Sequence, residues 1–116
     1  MFGKENRKKK TDEELQLQTE ANIERITSVM SSLNNGKLTE HKAVLISGKL
    51  RDISVYYDLC MKINDITGIS NWHTINQIRI NLILASDRIL EADKEETLEN
   101  LGKAILNLKV LRETTG

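Results

Sequence analysis

Apolar side chains along this chain recur at steps of three and four rather than two, which is the period of one face of an α-helix. Ile23, Ile26, Met30 and Leu33 make the first such stripe. Ile46, Leu50, Ile53, Tyr57 and Cys60 make the second, and Trp72, Ile75, Ile78, Leu82, Ala85 and Ile89 the third. Leu98, Leu101, Ile105, Leu108 and Leu111 make the fourth. Alternation of the strand type competes with them nowhere, so the fold class expected is all-α, an antiparallel four-helix bundle.

Start and stop signals divide the stripes into helices over about 12–34, 39–67, 71–91 and 94–113, which together make one domain over 12–113. Thr11 with Glu14 reads as a capping box for the first helix. Asn34, Asn35 and Gly36 read as its end, because Asn and Gly tolerate the left-handed backbone of a helix stop. Thr39 suits the cap of the second helix, and Gly68 its stop. Ser47 and Gly48 fall in its interior, where they could kink or split it. Ser70, or Thr74 with Gln77, would cap the third helix, and Asp93 with Glu96 the fourth. So few residues separate the last two helices that they must be antiparallel neighbours. Proline is absent, and no internal repeat of fixed period is visible.

The second helix is apolar over more than its core seam. Leu45, Tyr56, Leu59 and Ile63 form another stripe beside the first. Adjacent positions point about 100° apart, so Tyr56 and Tyr57 cannot face one core together. Either this helix is central and both stripes are buried, or the second stripe is a contact face for a protein partner or another copy of the chain. These four residues are the partner-binding candidates.

Charge adds an N-terminal segment to the picture. The chain of 116 residues has zero formal net charge, yet Lys4, Arg7, Lys8, Lys9 and Lys10 stand against Glu5 in residues 1–11, a local charge of +4. The expected reading is a flexible, disordered basic arm on a mildly acidic body, able to meet nucleic-acid phosphates. Those five basic residues are the nucleic-acid candidates.

Searching for chemistry yields little. Neither His41 nor His73 has Glu three residues before it or a second His four away, so a di-metal bundle motif is missing. His41 lacks the flanking pattern of a phosphotransfer histidine, and isolated glycines make no phosphate loop. Cys60 is the single cysteine, excludes an internal disulfide and falls on an apolar seam, where a thiol has a raised pKa. The expectation is therefore of no enzyme, no metal and no cofactor. No membrane-spanning run or leader is legible, and a cytoplasmic or intracellular viral or phage setting is expected. Function is expected to be that of a helical interaction module, a small regulator or adaptor that binds a protein and pairs as a homodimer. The alternative is a nucleic-acid-binding accessory protein.

Overall fold

In the computed structural model, backbone is described for residues 2–62 and 69–115 and side chains for 13–62 and 71–114. Four helices follow in order: α1 (Phe2–Asn35), α2 (Glu40–Lys62), α3 (Ile69–Leu90) and α4 (Lys94–Thr115). The basic segment 1–11, expected as a disordered arm, and the Thr11–Glu14 box fall where side chains lie outside the described residues. So do Ile63 and Gly68.

Aliphatic stripes bring the helices together as the periodicity requires. Leu50, Tyr57, Ile75, Ile78, Leu82, Ile89, Leu101, Leu108 and Leu111 are all buried in one core. Direction is read from contacts between helices. Ser47 donates its hydroxyl to the Ser86 carbonyl at 3.0 Å and Ser54 to that of Arg79 at 3.4 Å, so α2 runs against α3. Small residues at Ala43, Ser47, Ser54, Ala85 and Ser86 are buried, and they let these two backbones approach closely. The Thr114 hydroxyl donates to Asn71 Oδ1 at 2.8 Å, which sets the end of α4 beside the start of α3.

Packing is unequal around the bundle. α3 lies against both α2 and α4, and α1 lies against α4, whereas α1 and α2 approach each other sparsely although they are consecutive in the chain. The molecule measures 55 Å by 20 Å by 20 Å. That cross-section fits two helices by two at ordinary spacing, while a 34-residue α1 sets the long dimension.

Several expectations about the elements are revised. In α1 the buried line is Leu15, Thr19, Asn22, Ile26, Val29 and Leu33, and Ile23 and Met30 pack only on its flank. The reason is polar: Thr19 and Asn22 count as core because Tyr57 satisfies them. Trp72 is not in the α3 seam but 45% exposed, because at 100° per residue it stands about 100° from the centre of the line made by Ile75, Ile78, Leu82, Ala85 and Ile89. Thr74 lies inside α3, which starts at Ile69, rather than at its first residue. α2 is one continuous helix through Ser47 and Gly48.

Two caps form as expected. The Lys42 amide donates to Thr39 Oγ1 at 3.1 Å, and the Glu96 amide to Asp93 Oδ1 at 3.1 Å. Gly36 differs, for among the described residues the only positive φ belongs to Ala92, at 60°. Gly36 instead makes room: a Cβ there would stand 2.9 Å from Lys42 Nζ, which donates to the Ser32 carbonyl at 3.0 Å and caps the end of α1. At the end of α3, Asp93 N–H reaches the Arg88 carbonyl and Ala92 N–H the Ile89 carbonyl, a Schellman pair around a left-handed alanine.

Candidate functional site

Where α1 and α2 stand apart, a groove of about 820 Å³ opens between them. Its floor is apolar: Val29 of α1 and Ile46 and Ile53 of α2. One wall comes from α1, where Gln18, Ala21, Arg25, Ser28 and Ser32 follow at steps of three and four. The other is Lys49, Asp52 and Tyr56 of α2. From Gln18 to Ser32 the wall is about 21 Å long, or four helical turns.

Both ends of the groove are tied. At one end Tyr57 reaches across the core, and its hydroxyl lies 2.9 Å from Thr19 Oγ1 and accepts from Asn22 Nδ2 at 3.1 Å. At the other end Lys42 reaches the Ser32 carbonyl. These two ties fix the register, which sets Arg25 level with Asp52 and Ser28 level with Lys49. None of Glu24, Arg25, Lys49 and Asp52 has an ion-pair partner among the described residues. By contrast Arg51 bonds Asp87 at 2.6 Å, Arg112 bonds Glu20 at 3.2 Å, and Arg88 holds both Glu91 and Glu96.

The aromatic pair closes the wall toward the core. Tyr56 meets Tyr57 edge to face, with centroids 5.0 Å apart and planes at 82°. Burial pushes Tyr57 up to about 12, although the Asn22 and Thr19 hydrogen bonds pull the other way. Burial, with the Cys60 thiol beside it, raises Tyr56 further. Cys60 is itself raised by burial and stays a thiol at neutral pH.

The partner-binding candidates separate in space. Tyr56 is half-buried and lines the groove, while Leu45 and Leu59 are exposed on the outer side of α2, and Ile63 lies outside the described residues. Lys4, Arg7, Lys8, Lys9 and Lys10, the nucleic-acid candidates, carry side chains outside the described set. Residues the sequence reading missed are Arg25, Ser28, Lys49 and Asp52, which carry no motif. Their signal was a polar period of three and four on α1 beside the apolar one, and it became visible only once α2 was known to stand off.

His41 and His73 are exposed on different helices. Among the described residues no group of three or more His, Cys, Asp or Glu lies close enough to hold a metal ion, and no helix is long and apolar enough to cross a membrane. Comparison with protein-family models, curated proteins and solved structures gives no match.

Proposed function

We propose that this chain is a non-enzymatic helical interaction module, a small regulator or adaptor whose α1–α2 groove receives an amphipathic helix from a protein partner. The observation that carries the reading is the stand-off between two consecutive helices, which leaves a cleft about four turns long above the nearly buried Val29, Ile46 and Ile53. A helix laid there would set its own apolar stripe over Val29, Ile46 and Ile53, while its flanking charges meet Glu24 and Arg25 on the α1 wall. Small residues at Ala21, Ser28 and Ser32 keep the α1 wall low enough for a backbone to come close.

A photo-crosslinking residue tests this when placed at Ala21 or Ser28, with Lys109 on the exposed side of α4 as control, in cells that make the protein. The expected result is one protein adduct shared by both groove positions, its attachment mapping to an amphipathic helix. Equal labelling from Lys109, or none from the groove, would overturn the reading.

A further inference from the structure

We infer that the outer face of α2 is a self-association surface on which a second copy of this chain packs its own α2, antiparallel, about a two-fold axis near Leu50. Val44, Leu45, Val55 and Leu59 are each more than half exposed. At 100° per residue they gather on the side of α2 directly opposite its buried seam, over about 22 Å. Gly48 sits in the middle of them, and a Cβ built on it would meet nothing within 4 Å. A glycine inside a continuous helix destabilises it relative to alanine, and Gly48, unlike the equally open Gly102, stands amid exposed apolar side chains. A helix arriving from outside would use the space, because the missing side chain lets two backbones close in.

The occupant is identified by the centre of the face, where Leu45 and Val55, and Lys49 and Asp52, are complementary to their own reverse. In antiparallel pairing about residue 50, Leu45 meets the second copy's Val55, and Gly48 meets the second copy's Asp52. That carboxylate then lies beside Lys49, and the two-fold axis repeats the contact. Lys49 and Asp52 have no ion-pair partner within one copy among the described residues. A second copy covers the apolar residues and supplies both halves of this charge pair from the same two positions. Two-fold pairing of like surfaces is the commonest oligomer. The face adjoins the groove along the edge held by Asp52 and leaves the groove floor open. A contact of one helix per copy falls at the small end of specific interfaces, so the dimer is reversible, with Kd on the order of 10–100 µM.

Sedimentation equilibrium of the full chain from about 5 µM to 1 mM measures it. Val55→Glu should weaken association at least tenfold, and Gly48→Ala should weaken it several-fold while raising the melting temperature. The latter separates docking from folding. Lys49→Glu alone should weaken the dimer by setting like charges together, and adding Asp52→Lys to the same chain should restore it. Ser28→Glu, in the groove wall of α1, should leave it unchanged. A strict monomer at 1 mM overturns the inference. Association indifferent to Val55→Glu or Gly48→Ala overturns it too, as does a charge exchange that fails to restore, or a dimer that Ser28→Glu weakens. Groove crosslinking to a partner is read separately, and either proposal can fail while the other stands.

Discussion

Tyr57 is the residue on which the sparse side of the bundle depends. Its ring belongs to the core and its hydroxyl satisfies two buried polar groups of α1, Thr19 and Asn22. Tyr57→Phe keeps the ring and leaves those groups unpaired, so it should cost about 1–3 kcal/mol in urea unfolding. Tyr57 also gives stability a pH dependence. Its folded pKa of about 12 lies above the ordinary 10, so the native state holds the proton more tightly. That stability is complete below pH 10 and is lost as pH rises toward 12, in the same direction as the raised Tyr56. Urea midpoints from pH 8 to 11.5 should fall above pH 10, and less steeply in Tyr57→Phe; parallel profiles would count against this role. Ala92 is a residue under strain, since a left-handed alanine costs about 1 kcal/mol that glycine avoids. Ala92→Gly should therefore raise stability by about that amount, and a loss would mean the Schellman turn is not the stop of α3 in solution.

At the scale of elements, caps and glycines set how well each helix stands by itself. Thr39 and Asp93 each bind an amide of a helix's first turn, and alanine at either should cost about 1 kcal/mol. Gly102 lies within α4 with nothing within 4 Å of a built Cβ. Gly102→Ala should add about 1 kcal/mol, seen as a rise of a few degrees in the thermal midpoint; no rise would place a neighbour there. Two of these caps, the start of α4, the seam of α2 and most of the seams of α3 and α4 were legible in sequence, because each depends on residues within one helix or turn; Trp72 turned outward, and Leu98 and Ile105 pack on the flank of a line that buries Ala104. The true line of α1 was not. Thr19 and Asn22 look like surface residues until Tyr57, 38 and 35 positions away, is placed against them.

For the whole molecule, unequal packing implies unequal stability. α3 has a neighbour on two sides, while α1 is held by α4, by Tyr57 and by Lys42. Local opening follows the density of buried contact. Amide exchange should therefore be slowest in α3 and clearly faster in α1 over residues 13–35, and the same experiment reads the order of segment 1–11. Protection in α1 equal to that in α3 would mean that the groove is closed in solution. A helix bound there would remove the difference, which makes exchange in α1 a reporter of occupancy.

From its sequence alone, this chain specified four helices, most of their ends and the side that α2, α3 and α4 bury, because helical period, caps and turns are properties of neighbouring positions. Tertiary structure decided that α1 would stand off from α2, that Tyr56 would line a groove while Leu45 and Leu59 turned outward, and that four rim charges would go unpaired. Those outcomes depend on distances between helices. Such distances are set by which small residues let α2 close on α3 and by one tyrosine spanning to α1, and no periodicity along the chain encodes them.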